Sequence, residues 1–256
     1  MNERFDGIVL FKRPHRERDL LVKIFTEQYG TKMFFVKNAK RSNHPLAAQL
    51  FPLTLNHYIG DIHAEGLSFI REGHTLHLYQ SLHQDYLKQA YAVYIAQLVN
   101  AAIDDNMPDE RVYQLFRHSL QLMDESFSPE IIVAYMEIRL LIYFGINIDW
   151  HHCRRCEVEA YKGDFSIIHQ GVLCQKHWYE DAHRLRIAPK ALYIAQILAK
   201  ADLNQIQSVN LSAETLLELR RLMDEIYQEY VGIRLKSKRY LDQMTSIQQL
   251  MNDTSI

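Results

Sequence analysis

Three cysteines and one histidine stand at the spacing of ligands to a single metal ion. Cys153 and Cys156 form one Cys-x-x-Cys knuckle, and after seventeen residues Cys174 and His177 form a second knuckle. Two such knuckles are typical of zinc sites, because each carries two ligands to one tetrahedral ion. Four protein ligands close the coordination sphere, whereas a catalytic zinc keeps one position for water or substrate. We therefore predict one structural Zn²⁺ ion.

The same residues leave alternatives open. His151, His152 and His169 are close enough in sequence to compete with His177 for the fourth position, and three buried thiols beside a chance histidine would need no metal. A zinc enzyme is a further alternative, since deaminases combine His-x-Glu with Pro-Cys-x-x-Cys. The run His63-Ala64-Glu65 supplies half of that motif, but His152 stands where the proline is needed.

Positive charge is concentrated near the N-terminus, although the net charge of the chain is −2. Residues 1–45 hold ten Lys and Arg against five acids, whereas residues 81–150 hold four against ten. This asymmetry predicts an anion-binding end and an acidic middle. The candidate phosphate-binding residues are Lys12, Arg13, Arg16, Arg18, Lys37, Lys40 and Arg41. A third basic cluster, Arg234 to Arg239, follows a predicted helix, where cations also complement the helix C-terminus.

The first 78 residues have the pattern of a small β-barrel. Short runs rich in β-branched and aromatic residues alternate with turn residues, and no long helix intervenes. The predicted strands are Gly7–Phe11, Leu20–Thr26, Lys32–Val36, Pro52–Tyr58 and Leu67–Arg71. Turns are predicted at Tyr29-Gly30, Gly60-Asp61 and Glu72-Gly73, and one short helix within His44–Leu50.

The candidate basic residues fall in two predicted loops of this barrel, one between its first two strands and one after the third. In a small barrel, loops and one sheet face form a groove, and a cationic groove with aromatic platforms binds single strands. The possible platforms are Phe11, Phe34, Phe35 and Tyr58. The alternatives are a barrel core for the aromatic residues and a solvated charged face for the basic ones.

From residue 81 onwards the hydrophobic period is that of amphipathic helices. The predicted helices are Tyr86–Ile103, Glu110–Asp124, Pro129–Phe144, Pro189–Ala201 and Ala213–Tyr230. Pro129, Gly145 and Ser212 stand at expected helix starts and stops, and Met251 to Ile256 are expected to fray. The sequence thus predicts an α+β multidomain chain, with a five-stranded barrel over residues 1–80 and an all-helical domain over residues 81–256 that carries the zinc module at about 150–180.

Other function classes find no support in the sequence. The charged N-terminus is not typical of a signal peptide, and no run approaches the roughly 18 apolar residues of a membrane span. We therefore expect a cytoplasmic location. The sequence contains neither a phosphate-binding loop of the NTPase type nor a Gly-x-Ser-x-Gly elbow, and no catalytic constellation is evident. We expect a protein that is not an enzyme.

Several short motifs follow one another along nearly the whole chain. Those of the N-terminal part are Gly7 to Leu10, Arg18 to Glu27, Tyr29-Gly30 and Val36 to Arg41. Those of the C-terminal part are Glu137 to Gly145, the Cys153/Cys156 knuckle, Gly171 to Cys174 and Leu235 to Arg239. In this order they resemble the RecO family of bacterial DNA repair and recombination mediators. Two departures are Asn38, where the family commonly has glycine, and His177, where a fourth cysteine is common; Asn38 tolerates the left-handed backbone that glycine favours.

The resemblance implies an OB-fold for the barrel and a helical C-terminal domain with an embedded zinc-finger-like module. It also implies binding of single- and double-stranded DNA, strand annealing, and loading of RecA onto SSB-coated DNA with the partner RecR. Association with the nucleoid follows from DNA binding. The rival interpretations are an RNA-binding OB module and a zinc enzyme.

Arg139 is the candidate contact for the acidic tail of SSB. The tail ends in acids, a Phe and a free carboxylate, so its docking site needs an apolar pocket bordered by cations. Arg139 interrupts the apolar run from Met136 to Ile142. The alternative is an ion pair between Arg139 and one of the ten nearby acids.

Overall fold

The computed structural model describes residues 2–203 and 211–253. They form two compact units, unit 1 from Met1–Ser126 with Leu235–Ile256 and unit 2 from Phe127–Arg234. None of the helices in the described ranges is long and apolar enough to cross a membrane.

Unit 1 begins with five strands that close into a barrel in the order β1-β2-β3-β5-β4. The strands are β1 Glu3–His15, β2 Asp19–Thr26, β3 Gly30–Val36, β4 Leu55–Asp61 and β5 Ser68–His77. Neighbouring strands are antiparallel except β3 and β5, which are parallel. This small closed barrel is of the OB type and confirms the predicted fold class.

The barrel core follows from the alternation of side chains along the strands. Val22 and Ile24 of β2 and Phe34 of β3 point inward and are fully buried. The ring of Phe5 stacks on Phe34 and on Tyr58, with centroids 5.4 and 5.5 Å apart. Phe34 and Tyr58 are therefore core residues, and their interpretation as stacking platforms is wrong.

The strands extend beyond their predicted bounds. β1 continues to His15, so Lys12 and Arg13 lie on the strand and not in the predicted loop. Gly60 lies within β4 and Gly73 within β5, so neither marks a turn. A Cβ on Gly60 would lie 2.2 Å from the Phe69 carbonyl oxygen, and the strand register shifts between Ile59 and Gly60. These glycines allow a bulge and close approach within a strand, which a local pattern does not distinguish from a turn.

Four α-helices complete the described part of unit 1. They are α1 Gln80–Gln84, α2 Tyr86–Ala102, α3 Glu110–Asp124 and, from the C-terminal segment, α7 Lys236–Asp253. The side chain of Asp85 accepts hydrogen bonds from the first turn of α2, and that of Asp109 from α3, as N-caps do. The segment His44–Leu50, predicted as a short helix, contains one short 3₁₀ turn, Ala48–Leu50.

Helix α7 packs against α2 and was not predicted. The basic residues Lys236, Lys238 and Arg239 stand in its first turn. Their interpretation as cations at a helix C-terminus is therefore wrong, because they begin a helix. Helix α7 also includes Met251, which was expected to fray, whereas residues 254–256 lie outside the described residues.

The loop between α2 and α3 is fixed on the outside of the barrel through Asp105. Its carboxylate accepts hydrogen bonds from the buried Lys23 ammonium and, at 2.9 Å, from the Thr31 hydroxyl. Gly30, with φ of +65°, lies so close to the same loop that a Cβ would stand 2.2 Å from the Met107 carbonyl oxygen.

Unit 2 is helical around a small hairpin. In its described residues the helices are α4 Pro129–Leu140, α5 Pro189–Lys200 and α6 Ala213–Ile226, and the strands are β6 Asp164–Ser166 and β7 Gly171–Leu173. Helix α4 is buried on nearly all sides. Its predicted continuation to Phe144 tightens into a 3₁₀ turn, Leu141–Phe144, which ends at Gly145 in the left-handed conformation. The last residues of the predicted helix Ala213–Tyr230 belong to a π-helical turn, Tyr227–Val231, that follows α6.

Candidate nucleic-acid interface and candidate metal centre

Two basic segments, residues 12–18 and 37–41, meet at one end of the barrel; we call them the basic end. The backbone N–H of Lys40 donates to the carbonyl oxygen of Arg18 at 3.1 Å. The Lys40 ammonium donates to the carbonyl oxygens of Arg16 and Glu17, at 3.3 and 3.1 Å. The turn after β1 and the segment after β3 are thus held together although they are distant in sequence.

Local backbone geometry explains how the second segment turns back onto the first. Asn38 follows β3 with φ of +56°, as expected for an asparagine in place of glycine. Its N–H donates to the carboxylate of Asp19, the first residue of β2, at 2.8 Å. Sequence reasoning missed this role of Asp19, although Asp19 belongs to the motif Arg18 to Glu27 that resembles the RecO family.

All seven candidate cations have exposed side chains. They are Lys12, Arg13, Arg16, Arg18, Lys37, Lys40 and Arg41. In the two segments Glu17 is the one acid. Lys12 differs from the rest, because its ammonium lies over the Phe51 ring, 4.5 Å from the centroid, and burial lowers its pKa. The arrangement presents a cationic surface to which phosphates could bind.

The four predicted metal ligands converge in unit 2. The ligand atoms of Cys153, Cys156, Cys174 and His177 all lie within 4.8 Å of one another. The Sγ atoms of Cys156 and Cys174 are 3.8 Å apart, and His177 Nδ1 lies 3.6 Å from Cys153 Sγ. Zn–S bonds of about 2.3 Å in a tetrahedron give edges of about 3.8 Å. The group could hold a metal ion, and its donors and spacing suit Zn²⁺.

Backbone hydrogen bonds prepare this group for a cation. Burial alone would raise the pKa of the Cys153 thiol. Hydrogen bonds from the backbone N–H groups of Cys174, Arg155 and Cys156 have the larger combined effect and lower that pKa to about 6. A thiolate is the form that binds zinc. Burial together with the neighbouring Cys153 thiol raises the pKa of Cys174.

The competing histidines lie outside the group. In the described part of the chain the metal-binding cluster contains His177 and none of His151, His152 and His169. The Nδ1 atom of His152 lies 2.9 Å from the Asp149 carboxylate instead. His63, the residue of the partial deaminase motif, lies in the barrel of unit 1 and not in this cluster.

The module around the ligands, residues 150–180, is anchored to the rest of unit 2. The buried Gln196 amide of α5 donates to the carbonyl oxygens of Trp150 and Ala160, at 2.8 and 3.3 Å. The buried Asp164 carboxylate accepts from the N–H groups of Arg186 and Ile187, at 2.9 and 3.0 Å.

Arg139 of α4 is exposed, and its guanidinium donates to the Ala199 carbonyl oxygen at 3.1 Å. It also lies 5.8 Å from the centroid of the Tyr135 ring. Ala199 stands in the last turn of α5, where carbonyl groups attract cations. The ion pairs found among the described residues do not include Arg139.

An OB barrel with a basic end, followed by a helical unit with a Cys₃His group, defines the class of protein. The family model for the recombination protein O N terminal matches residues 1–79, and that for the C terminal matches residues 83–239. The chain belongs to the recombination protein O (RecO) family. This membership confirms the prediction that the chain is not an enzyme, because the family is one of repair mediators.

Curated relatives match over most of their length. DNA repair protein RecO of Lactiplantibacillus plantarum is 41% identical over 96% of this chain and 95% of its own. DNA repair protein RecO of Enterococcus faecalis is 41% identical over 93% of this chain and 91% of its own. DNA repair protein RecO of Streptococcus agalactiae is 37% identical over 96% of both chains. The family supports a role in DNA repair and recombination.

Proposed function

We propose that this chain is a recombination mediator that binds single- and double-stranded DNA at the basic end of its barrel. One observation carries the proposal: hydrogen bonds from Lys40 to the Arg16–Arg18 turn join two cationic segments that contain a single acid. Lys and Arg displace the counterions condensed on phosphates, so such a surface binds DNA without regard to sequence.

Strand annealing follows from the same chemistry. Two single strands repel each other through their phosphates, and a cationic surface lowers that repulsion while complementary bases pair. The relatives' name, DNA repair protein, agrees with this activity. In the cell the chain would act with RecR to load RecA onto SSB-coated strands, with the SSB tail bound near Arg139, in the cytoplasm and at the nucleoid.

The proposed Zn²⁺ has a structural role. Cys153, Cys156, Cys174 and His177 would hold it, and the ion would supply a cross-link between the two knuckles. No step of DNA binding passes through it.

The test of DNA binding uses substitutions at the basic end and a matched loss of charge elsewhere. Replacing Lys37, Lys40 and Arg41 by alanine should weaken single-strand binding and flatten its salt dependence by up to about 2 in log–log slope, since each phosphate neutralised contributes about 0.7. The control replaces three exposed cations of the helical regions, Arg111, Lys190 and Lys200, by alanine. It should leave affinity and slope unchanged.

Lys40 also holds the loop, so a second variant separates charge from structure. The double variant Lys37→Ala/Arg41→Ala keeps the Lys40 contacts with Arg16 and Glu17 and should reduce the slope by about 1.4. If the triple variant binds DNA with the affinity of the parent at low salt, the DNA-binding surface lies outside the basic end, and Arg234 to Arg239 is the next candidate. Competition by RNA of equal length tests the RNA-binding rival, which predicts that RNA displaces DNA.

A further inference from the structure

Four aromatic rings form a continuous row on the outside of the barrel, which we call the aromatic row. His15 of β1, Phe35 of β3, Phe69 of β5 and His63 of the β4–β5 loop follow one another in space. Their ring centroids are 5.8, 6.1 and 5.6 Å apart in that order. The row begins next to Arg16, so it starts at the basic end.

The barrel topology fixes the two phenylalanines on this outer face. Phe35 and Phe69 are directly opposite in the parallel pair of β3 and β5, so their side chains lie on one face. The residues before them, Phe34 and Ser68, are fully buried on the other face. Phe69 is 38% exposed and Phe35 is half-buried. Neither belongs to the barrel core, which contains Phe34 and its stacking partners.

The far end of the row is held in place by partly buried hydrogen bonds. The Lys32 ammonium donates to the carbonyl oxygens of His63 and Ala64, at 2.8 and 3.4 Å. The His63 N–H donates to the Ser68 hydroxyl oxygen at 3.1 Å. The loop that carries the His63 ring is therefore tied to the barrel.

One acid beside the row, Asp61, is neutralised by an ion pair. Asp61 stands opposite Phe69 on β4, and its carboxylate accepts two hydrogen bonds from the Arg71 guanidinium, at 3.0 and 2.8 Å. These hydrogen bonds lower the pKa of Asp61. An ion pair at this position repels a phosphate backbone less than a lone carboxylate would.

We infer that the aromatic row is a stacking surface for the bases of unpaired DNA, and that it makes this barrel face prefer single strands to duplex. The inference rests on the proposed function, because the phosphates of the same strand would lie on the basic end. Aromatic rings stack on any base, whereas a duplex keeps its base faces inside its own stack.

The test compares the double variant Phe35→Leu/Phe69→Leu with the parent on a 20-nucleotide oligothymidylate and on a 20-base-pair duplex at one salt concentration. Leucine keeps apolar bulk and removes the ring. We expect single-strand affinity to fall about 10-fold or more, duplex affinity to stay within about 2-fold, and the salt slope to stay unchanged because no cation is lost. The control is Tyr86→Leu, which removes an aromatic ring that is 76% exposed on α2 and should change neither affinity.

A second variant gives a direct signal and does not depend on the folding of the double variant. In Phe69→Trp, a new indole stands in the row, while the two native tryptophans, Trp150 and Trp178, lie in unit 2. Oligothymidylate should quench the fluorescence of this variant beyond that of the parent, and duplex should not. Oligouridylate of equal length would quench as strongly if the row takes any single strand, which would extend the site to RNA.

Three results would overturn the inference. Equal loss of single-strand and duplex affinity in the double variant would show that the row stabilises the basic end and does not bind bases. Unchanged affinity of the double variant for both nucleic acids, with no quenching in Phe69→Trp, would show that bases do not stack on the row. The proposed function would still stand if replacing Lys37, Lys40 and Arg41 weakens salt-dependent binding. A parent that binds neither nucleic acid would reject both proposals.

Discussion

The barrel and the metal-binding module hold their candidate functional side chains in opposite ways. The barrel is a closed sheet with its own aromatic core, and its candidate cations extend from the end of β1 and from two segments joined by backbone contacts such as that of Lys40 with Arg18. The module has two strands of three residues each, β6 and β7, so a metal ion held by its Cys₃His group would help to fix its chain. Replacing a functional residue should therefore change binding in the barrel and stability in the module.

The largest expected effect is the loss of a metal ligand. Cys153→Ser or Cys174→Ser should lose the metal and lower stability, because both residues belong to the ligand group. Zinc contributes roughly 10 kcal/mol to folding in isolated finger peptides; the loss here should be smaller, since Gln196 and Asp164 also anchor the module. Thermal melts and elemental analysis of one zinc equivalent check this.

The matched control for that experiment is His152→Ala. His152 is a neighbouring histidine that bonds Asp149 and stands outside the ligand group, so its variant should keep one equivalent of zinc. A cavity of about 360 Å³ opens beside Cys156 and Cys174 and should let a small chelator reach the ion. Soluble, folded parent protein without any metal would reject the zinc assignment.

The barrel's own stability should respond to packing and not to metal. Gly30→Ala should destabilise unit 1 by about 2 kcal/mol or more, since Gly30 has positive φ and its Cβ would meet the Met107 backbone at 2.2 Å. Gly66→Ala is the control, because Gly66 also has positive φ but has nothing within 4 Å of its Cβ. It should cost about 1 to 2 kcal/mol, the strain alone. Equal losses of unfolding free energy for Gly30→Ala and Gly66→Ala in urea melts would show that the close contact with Met107 does not contribute.

Asp105→Asn should have a smaller effect on the same unit. It leaves the buried Lys23 ammonium without a carboxylate partner, and breaking a buried pair costs about 3 to 5 kcal/mol. We expect about 1 to 3 kcal/mol, because the Asp105 side chain is 61% exposed and water screens the pair. The exposed neighbour Asp104, replaced by asparagine, is the control and should change stability by less than 0.5 kcal/mol, roughly the effect of a surface substitution.

The same pair predicts a pH dependence. Burial alone would raise the pKa of Asp105, but hydrogen bonds from Lys23 and Thr31 outweigh it and lower that pKa in the folded state. A depressed pKa gives stability that is fully present above the unfolded value, about 3.9, and is lost as pH falls through the folded value. The parent should therefore lose more stability than Asp105→Asn between about pH 5 and pH 2. Parallel curves would show that Asp105 contributes nothing through its charge.

Sequence patterns predicted what local spacing encodes. The ligand set could be predicted because each knuckle brings its two ligands together within four residues. The inner face of the barrel could not, because all eight residues of β2 are buried and show no alternation. The aromatic row could not, because it depends on the parallel pairing of β3 with β5, and the sequence separation of Phe35 and Phe69 hides their contact. Helix α7 has few apolar residues and is fixed by packing on α2, so its own period gave no clear signal.

Arg139→Ala should have the smallest effect on stability and tests whether partner binding in unit 2 is separate from the metal. A buried ion pair broken on one side would cost several kcal/mol, but the Arg139 guanidinium is exposed and bonds a carbonyl oxygen at the end of α5. We therefore expect a loss of less than about 1 kcal/mol in a thermal melt.

If Arg139 borders the proposed SSB-tail site, a peptide of that tail should bind roughly 1 to 3 kcal/mol more weakly to Arg139→Ala, as when a charge-assisted contact is lost. Arg139→Lys keeps the positive charge without the forked geometry and should bind the peptide with intermediate affinity. A well-folded Arg139→Ala variant with unchanged peptide affinity would place the tail elsewhere, whereas a Cys174→Ser variant that binds the peptide normally would show that the site does not depend on the metal.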